Sequence, residues 1–390
     1  MEAYTLNATE FVLLSGTIAL FLIQLLYYVR LYLRIHSRKV ACKKEEMHFT
    51  NELPPLSVII CARNESNNLQ RFLPSILEQD YPNFEVIVIN AGSSDESTEV
   101  LSTLEEQYPH LYHSFTPASA RYVSRKKLAL TLGIKASKND WLVFTEANCQ
   151  PSSDQWLRLM ARNFTTRTQI VLGYSGYERG KGWKHKRIAF DAFFTSLRYL
   201  SLALAGNPYM GIGRNMAYRK ELFFGIKGFS KHLNLQRGED DLFINQVATK
   251  ENTRVETDKK AVMRVLPVER YKDWKEEKIS YLGTSSYFQG VERYLLGFET
   301  TTRLLFYAGF MTTIVLGALT FQWLSASIAA LIALLRFALQ AIIFNKTITD
   351  LGDSRHYYLT LPIFDLLQPL QSLWYRIYRI RRGKGDFMRR

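Results

Sequence analysis

The sequence predicts an α/β protein with an open, mostly parallel sheet, helices on both faces of that sheet, and additional transmembrane and interfacial helices. Strand-like and helix-like segments alternate from about residue 54 to residue 265, a pattern typical of such sheets. Long apolar segments lie on either side of this region. Basic residues cluster beside those segments, as they do at the inner face of a membrane.

The composition excludes several classes of protein. Of the 390 residues, 47% are hydrophobic and 13% are aromatic, which is too apolar for a disordered chain. The three cysteines, Cys42, Cys61 and Cys149, are too few and too scattered for a disulfide framework or a zinc site. The net charge is +14, but no stripe of alternating aromatic and basic residues predicts a nucleic acid partner. We therefore expect the basic clusters to contact anionic lipids.

Residues 1–48 are predicted to form a transmembrane helix followed by a basic juxtamembrane segment. Phe11 to Val29 is apolar, with Gln24 as its strongly polar side chain, and as a helix would span roughly 28 Å. A cleaved signal peptide fits poorly, because the residues before the apolar run carry no basic charge. The basic residues from Arg30 to Lys44 predict an N-terminus outside and a cytoplasmic chain after Arg30.

Residues 49–265 are predicted to form a cytoplasmic α/β domain. Its clearest strands are Leu56–Ile60, Phe84–Ile89 and Trp141–Phe144, and its clearest helices are Asn67–Glu78, Thr98–Tyr108 and Lys127–Ser137. Polar segments follow the three strands directly, at residues 61–65, 90–95 and 146–148. Because ligands bind at the carboxyl ends of strands in such sheets, we expect a site where these segments meet.

The C-terminal part is predicted to return to the membrane. Residues 266–303 are expected to form interfacial amphipathic helices, and residues 304–390 a transmembrane pair, a hairpin and a basic cytoplasmic tail. The pair corresponds to Leu304–Trp323 and Ser325–Phe344. Two prolines and an aspartate within residues 356–378 favour a re-entrant or interfacial hairpin over a straight span. The aromatic segment Phe190–Ala205 is either a core helix or an interfacial helix.

A carboxylate and an amide follow the third strand with the spacing of a metal-binding acidic pair. Glu146 and Asn148 are spaced i, i+2 after Trp141–Phe144. A carboxylate and an amide oxygen can both ligate a hard cation such as Mg²⁺ or Mn²⁺. The amide brings no charge, so a cation site here is weaker than one with two carboxylates.

Six segments in order resemble family 2 glycosyltransferases with the GT-A fold. They are the opening strand and loop Ser57–Glu65, the turn Asn90–Asp95, the lysine-led helix Lys126–Ile134, the pair Glu146 and Asn148, the glycine segment Gly211–Arg219 and the acidic motif Gly238–Leu242. Each segment alone is a weak signal, whereas six in this order strongly indicate fold and ancestry. Activity follows less firmly from ancestry.

The resemblance implies an inverting transfer of a sugar from a nucleotide-sugar donor, with a UDP-sugar expected, to a lipid-linked or polysaccharide acceptor. It places the protein in a plasma membrane or bacterial inner membrane, with its active site on the cytoplasmic face. It implies that Asp240 is the general base, with Glu239 and Asp241 beside it, and that Glu146 and Asn148 hold Mg²⁺ or Mn²⁺. It assigns Arg214 and Asn215 to the acceptor. The implied nucleotide-binding residues are Arg63, Asn64, Glu65, Asn90, Asp95, Lys126 and Lys127.

Simpler interpretations stay open for most of these residues. Asp95 also fits a turn or a helix cap, and Lys126 with Lys127 fits a solvated helix start. The three acids fit the first turn of a helix, and the glycine segment fits a plain turn. Trp274–Tyr281 lies where the family covers the diphosphate, but its aromatic and basic pattern favours a helix on the bilayer surface.

Three positions depart together from the family pattern. Ala91 replaces a usual aspartate, Asn148 the main metal carboxylate and Ser280 a usual arginine. Two outcomes follow. Either the chain is a transferase with weak or metal-independent donor binding that uses Lys126, Lys127 and Arg125, or it is an inactive scaffold for a membrane protein partner. The intact acidic motif favours the first.

Overall fold

The computed structural model describes residues 7–117, 124–268 and 270–380. Its helices are α1 (Ala8–Leu26), α2 (Arg34–Lys43), α3 (Ser66–Leu77), α4 (Ser97–Gln107), α5 (Arg125–Ala136), α6 (Trp156–Ala161), α7 (Gly182–Leu204), α8 (Lys220–Gly225), α9 (Asp241–Val247), α10 (Tyr271–Thr284), α11 (Glu292–Leu319), α12 (Trp323–Asp350) and α13 (Leu361–Ile380). Its strands are β1 (Leu56–Ala62), β2 (Phe84–Asn90), β3 (Leu111–Phe115), β4 (Trp141–Glu146), β5 (Cys149–Pro151), β6 (Ile170–Leu172), β7 (Ser175–Tyr177), β8 (Met216–Arg219), β9 (Thr253–Val255) and β10 (Met263–Val265).

A seven-stranded sheet forms the centre of the α/β region, in the order β3-β2-β1-β4-β8-β6-β9. The first four strands run parallel, and β8 is antiparallel to both of its neighbours. A smaller sheet has the order β5-β10-β7. The predicted α/β class with a mostly parallel sheet is confirmed.

The register of β1, β2 and β4 aligns their carboxyl ends at one edge of the sheet. Cys61 of β1 lies opposite Glu146 of β4, and Ala62 lies opposite Asn90 of β2. Side chains that follow these strands therefore start from one edge of the sheet, as the sequence predicts.

Alternate residues of the strands enter two different cores. On one face, Val58, Ile60 and Val88 pack with the apolar sides of α3 and α4. On the other face, Ile59 and Phe144 belong to a core that continues through α5 and α7 into α12. Because both faces are buried, the central residues of these strands are apolar.

Three helical stretches in the described part of the chain are long and apolar enough to cross a membrane. They are Ala8–Lys43, Glu292–Leu319 and Trp323–Asp350. A π-helical turn, Tyr27–Tyr32, joins α1 to α2 within the first stretch. These helices agree with the predicted membrane anchoring, whereas their orientation and the predicted domain boundaries stay predictions.

A buried ionic cluster ties α13 to the two C-terminal spans. Asp365 accepts hydrogen bonds from Arg303 at 3.0 Å, Arg336 at 2.8 Å, Gln340 at 2.8 Å and Tyr307 at 2.6 Å. Asp365 and Arg336 are fully buried. An unpaired charge at this place would be costly, so the cluster fixes α13 against α11 and α12.

One sequence expectation is wrong in this part of the molecule, and burial favours one of two alternatives that the sequence left open. Residues 361–380 form one continuous helix that contains Pro369, so the predicted hairpin is absent there. The segment Phe190–Ala205 is a core helix rather than an interfacial one, since Phe190, Phe193 and Leu197 are buried. Phe194 of this helix packs against Phe344 of α12, with ring centroids 5.7 Å apart, which explains its aromatic content.

Replacing Asp365 by Ala is expected to lower the free energy of unfolding by about 3–5 kcal/mol, because Arg303 and Arg336 would stay buried without their carboxylate. Thermal unfolding in detergent measures this change. Asp273→Ala is the control, because Asp273 forms an exposed ion pair with Arg270 and such pairs contribute about 1 kcal/mol or less. Equal melting temperatures for the two variants would contradict the prediction.

Candidate active site

Two loops at the carboxyl edge of the sheet are joined by short polar side chains. Asn64 has a φ of 55°, a conformation that asparagine tolerates, and its Oδ1 accepts a hydrogen bond from the backbone N–H of Ser94 at 2.8 Å. Asn90 accepts one from the N–H of Ser93 at 2.8 Å. These predicted nucleotide residues thus shape the loops, and Arg63, which directly precedes Asn64, is exposed.

Asp95 organises the same loops. Its carboxylate accepts hydrogen bonds from the N–H of Ser66 at 3.0 Å and from the hydroxyl of Ser97 at 2.6 Å. Desolvation raises the pKa of Asp95, but these hydrogen bonds outweigh it and lower the pKa to about 2. Asp95 therefore acts as a turn and cap residue, and its role toward a nucleotide stays a prediction.

Glu65 connects these loops electrostatically to the deeper part of the site. Burial raises the pKa of Glu65, and the nearby carboxylates of Glu146 and Asp95 raise it further. Glu65 is half-buried, and its Oε2 accepts a hydrogen bond from Asn68 at 2.5 Å. The loop carboxylates and Glu146 thus share one electrostatic environment.

Glu146 is held between two cations of the chain. Lys126 donates to its Oε1 at 2.6 Å, and Arg214 donates to its Oε2 at 2.7 Å. Burial raises the pKa of Glu146, but these two cations outweigh burial and hold the pKa well below its usual range. Glu146 is therefore an ionised carboxylate with both oxygens in charge-assisted hydrogen bonds.

The same two cations reach further carboxylates. Arg214 donates to Glu277 at 2.8 Å, and the ammonium of Lys126 lies 3.2 Å from Glu239. Arg214 thus bridges β4 and α10, while Lys126 bridges β4 and the acidic motif. The acceptor role predicted for Arg214 stays untested, and its observed partners are carboxylates.

The acidic motif enters the site through a glycine turn. Gly238 has a φ of +110°, which favours glycine, and a Cβ there would lie 2.7 Å from the side chain of Leu242. This turn places Glu239, Asp240 and Asp241 in succession at the start of α9, where all three are buried. The helix-start interpretation is therefore correct for their local structure and compatible with a catalytic role.

Asp240 occupies the centre of the motif. Its Oδ2 accepts hydrogen bonds from the N–H of Gly213 at 3.0 Å and the hydroxyl of Tyr281 at 3.2 Å. Burial raises the pKa of Asp240, and the carboxylate of Glu239 raises it further. A buried carboxylate with a raised pKa and fixed orientation suits a general base.

Its two neighbours have different electrostatic states. Burial raises the pKa of Glu239, but Lys126 and Arg237 outweigh it and lower the pKa overall. Burial and the charge of Asp240 raise the pKa of Asp241 to about 8. Asp241 also accepts hydrogen bonds from the hydroxyl of Thr284 and the N–H of Leu242. The pKa is thus lowered for Glu239 and raised for Asp240 and Asp241, so the environment shifts adjacent acids in opposite directions.

Helix α10 packs against the site through Glu277 and Tyr281. Trp274 is 2% exposed, and Glu277 and Tyr281 point toward Arg214 and Asp240. The position of α10 relative to a bilayer stays a prediction. The covering position that the family resemblance implies is the one the helix occupies.

Arg237 is a site residue that sequence reasoning missed. Its guanidinium lies over the ring of Tyr281, 4.8 Å from the centroid, and 3.9 Å from Glu277. Ser280 replaces the arginine usual on this covering segment, and Arg237 supplies a guanidinium to the same region from the loop before Gly238. Its position immediately before the acidic motif was the available signal.

A small cavity lies at the centre of these residues. Its lining includes Cys61, Lys126, Glu146, Glu239 and Asp240, together with the backbone of Gly213. The predicted base and the predicted cation ligand Glu146 thus line one cavity. Asp95 does not line it but holds the adjoining loop.

Two predicted ligand contacts are wrong. Lys127 is fully buried and donates to the backbone oxygens of His232 and Leu235, so it holds a loop and does not face a phosphate. Asn215 is also buried. Its side chain bonds to Trp156, Tyr174 and Ala261, which leaves it no free group for an acceptor.

The predicted divalent-cation site does not fit the residues present. Both oxygens of Glu146 are engaged by Lys126 and Arg214. Asn148 accepts a weak hydrogen bond from the thiol of Cys149 at 3.4 Å. Among residues 7–117, 124–268 and 270–380, no group of three His, Cys, Asp or Glu residues could hold a metal ion.

The sequence of the α/β region decides the family. Residues 57–224 match the family described as glycosyl transferase family 2. The chain contains a family 2 glycosyl transferase domain. The matched region includes β1, β2, β4 and the glycine segment at Gly211–Arg219, and it ends before the acidic motif at Gly238–Leu242.

Several relatives resemble parts of this glycosyl transferase domain. Glycosyltransferase AglE of Haloferax volcanii is 32% identical over 111 residues, which are 28% of this chain and 34% of that protein. A beta-monoglucosyldiacylglycerol synthase of Trichormus variabilis is 27% identical over 156 residues, which are 37% of this chain and 33% of that protein. The chain spans about half or less of the length of the relatives it matches.

One solved structure resembles almost the whole chain. It is the mannosyltransferase PcManGT from Pyrobaculum calidifontis in complex with GDP-Man and Mn²⁺, with a TM-score of 0.60 and 17% identity. The match covers 95% of this chain and 99% of that structure. At this identity the likeness shows the fold alone, and it confirms the predicted GT-A fold.

The Asp241→Asn variant is expected to change how stability depends on pH. The pKa of Asp241 is about 8 in the folded chain and about 4 when unfolded. Unfolding therefore releases a proton between these values, and the wild type should lose roughly 1 kcal/mol per pH unit relative to the variant as the pH rises through this window. Thermal unfolding of both proteins from about pH 5 to pH 8 measures the difference.

The matched control is Glu99→Gln, because Glu99 is an exposed acid in the first turn of α4. Its melting temperature should follow that of the wild type at every pH. A constant offset between Asp241→Asn and the wild type across the window would disprove the raised pKa.

Proposed function

We propose that the chain transfers a sugar, with inversion, from a nucleotide-sugar donor to an acceptor at the cytoplasmic face of a membrane. The observation that carries this proposal is the placement of Asp240 in the cavity that Lys126 and Glu146 also line. A base and a cationic group at one cavity are what an inverting displacement requires. The family match supports the reaction class.

In this reaction, Asp240 takes the proton of the acceptor hydroxyl as its oxygen attacks the anomeric carbon. The bond from that carbon to the nucleoside diphosphate breaks, and the leaving group carries away the bonding electrons. The N–H of Gly213 and the hydroxyl of Tyr281 hold the Asp240 carboxylate in one orientation. Burial raises the pKa of Asp240 and so makes it a stronger base than an exposed aspartate.

The acceptor is proposed to be a lipid-linked sugar or a polysaccharide. Relatives of the domain include a beta-monoglucosyldiacylglycerol synthase and a poly-beta-1,6-N-acetyl-D-glucosamine synthase. The domain packs directly on the helices that could span a membrane, through Phe194 of α7 and Phe344 of α12. An acceptor that enters from the bilayer would have a short path to the site.

Two means of neutralising the donor diphosphate are to be compared, although Glu146 and Asn148 as they are bonded do not fit a divalent cation. One is the Mg²⁺ or Mn²⁺ that the sequence resemblance implies, and PcManGT is a Mn²⁺ complex. The other is the set of cations that the chain itself supplies at Lys126 and Arg214. The donor nucleotide is either UDP, as the resemblance implies, or another such as the GDP of GDP-Man in PcManGT.

The alternative is an inactive relative that serves as a scaffold for a membrane protein partner. The three departures at Ala91, Asn148 and Ser280 favour it. Nucleotide binding separates the two proposals, because a scaffold has no need to bind UDP or GDP. Calorimetry with both nucleotides is therefore the first test.

The Asp240→Asn variant is expected to lose at least a hundredfold in transfer rate, since general-base catalysis contributes about 10²–10⁴. Transfer is measured with UDP- and GDP-linked radioactive sugars and a total lipid extract as acceptor. Nucleotide affinity should change little, because Asp240 acts on the acceptor side. Retained transfer in the variant, with an unchanged melting temperature, would overturn the assignment of the base.

Helix α13 is proposed to lie in the membrane interface. Its exposed face carries Ile363, Leu366, Leu370, Leu373 and Ile377, spaced as an apolar stripe of an amphipathic helix. Asp365 on the opposite face is bound to α11 and α12, which keeps the helix beside the spans. The basic tail that the sequence predicts, at residues 381–390, lies outside the described residues.

Trp374 on α13 is 52% exposed and should report this location. In vesicles that contain brominated lipids, Trp374→Phe is expected to remove a quenchable part of the tryptophan fluorescence. Trp141→Phe is the control, because Trp141 is buried in the sheet. Identical quenching in the wild type and Trp374→Phe would place α13 away from the bilayer.

A further inference from the structure

We infer that the donor site neutralises a nucleoside diphosphate with two cations of the chain, Lys126 and Arg214, and binds no divalent cation there. The inference rests on the proposed function, since it concerns how that site holds its donor. It selects one of the two means of charge neutralisation that the family resemblance leaves open.

The first argument is the occupancy of Glu146. Its two oxygens accept hydrogen bonds from Lys126 at 2.6 Å and from Arg214 at 2.7 Å. A cation of Mg²⁺ size binds carboxylate oxygens at about 2 Å. An ion bound there would lie close to both an ammonium and a guanidinium, and this repulsion disfavours it.

The second argument is that the other candidate metal ligands are uncharged, missing or already paired. Asn148 contributes an uncharged amide oxygen, and Ala91 contributes none. Glu239 is paired with Lys126 at 3.2 Å. Within the described segments of the chain, no cluster of three metal-ligating side chains exists. Mg²⁺ binds through carboxylates and substrate phosphates, so the chain offers it little.

The third argument is that the two cations are held in place before a donor arrives. Arg214 is fixed between Glu146 and Glu277, at 2.7 Å and 2.8 Å. Lys126 is fixed between Glu146 and Glu239, at 2.6 Å and 3.2 Å. Preorganised charges need no reorganisation during the reaction. Arginine in particular suits phosphate oxygens, because its donors are planar and paired.

The Glu146 carboxylate therefore occupies the two cations that the diphosphate of the sugar donor would bind, rather than ligating a metal. It holds Lys126 and Arg214 together, and a diphosphate would compete with it for the same hydrogen-bond donors. This predicts opposite effects of one substitution. If Glu146 competes with the diphosphate, Glu146→Gln tightens nucleotide binding. If Glu146 ligates a metal, the same change weakens it.

The experiment is calorimetry of the full chain in detergent with UDP and with GDP, after EDTA treatment and again after addition of Mn²⁺. We expect binding without metal, and an affinity that Mn²⁺ changes by less than about threefold. Glu146→Gln should tighten binding by about fivefold or more, and Arg214→Ala should weaken it by about tenfold or more, as loss of a charge-assisted hydrogen bond implies. A Mn²⁺ EPR spectrum with either nucleotide should match that of the nucleotide and Mn²⁺ in buffer without protein, with no additional protein-bound ion.

Two further variants keep the result interpretable. Glu251→Gln changes an exposed loop acid far from the network and should leave the affinity unchanged. Lys126→Arg keeps a cation at that position, and it takes the place of Arg214→Ala in the binding measurement if Arg214→Ala does not fold. Binding that appears only with Mn²⁺, bound Mn²⁺ in the EPR spectrum, or weakened or unchanged binding in Glu146→Gln overturns the inference and leaves the proposed function standing. No binding of either nucleotide under any condition overturns both.

Discussion

The parallel pairing of β1 with β2 and β4 is the constraint on which the rest of the site depends. Its register sets Cys61 opposite Glu146 and Ala62 opposite Asn90, so three loops begin at one edge of the sheet. Both faces of these strands are buried, and a shift of register by one residue would exchange the two cores. The packing therefore fixes the starting points of these three loops.

Two ionic networks in the molecule perform different tasks. The Asp365 cluster is fully enclosed and joins α13 to α11 and α12. The Glu146 network is partly accessible, since Lys126 is 30% and Glu146 is 22% exposed at the side chain. An enclosed network can only fix geometry, whereas an accessible one can exchange partners. That difference is why the second network is the one assigned to a ligand.

The sequence predicted the location of the site better than the contacts of the individual side chains within it. The motif positions identified Glu146, Asp240 and the loops that carry Asn90 and Asp95, because the order of strands and the residues after them are local properties. Lys127 and Asn215 were assigned to ligands. Their side chains instead donate hydrogen bonds to backbone carbonyls within the protein. Adjacent residues on a helix point in different directions, and sequence spacing does not say which one meets the cavity.

By itself, the sequence determined the α/β class, the sheet edge that carries the site, the three apolar helices and the family, because these follow from periodicity, length and motif order. Only the tertiary structure decided that α10 covers the site, that Arg237 contributes a guanidinium, and that Glu146 binds Lys126 and Arg214. These contacts join residues 20 to 68 positions apart. Such pairings depend on how separate elements pack, and no local pattern records that packing.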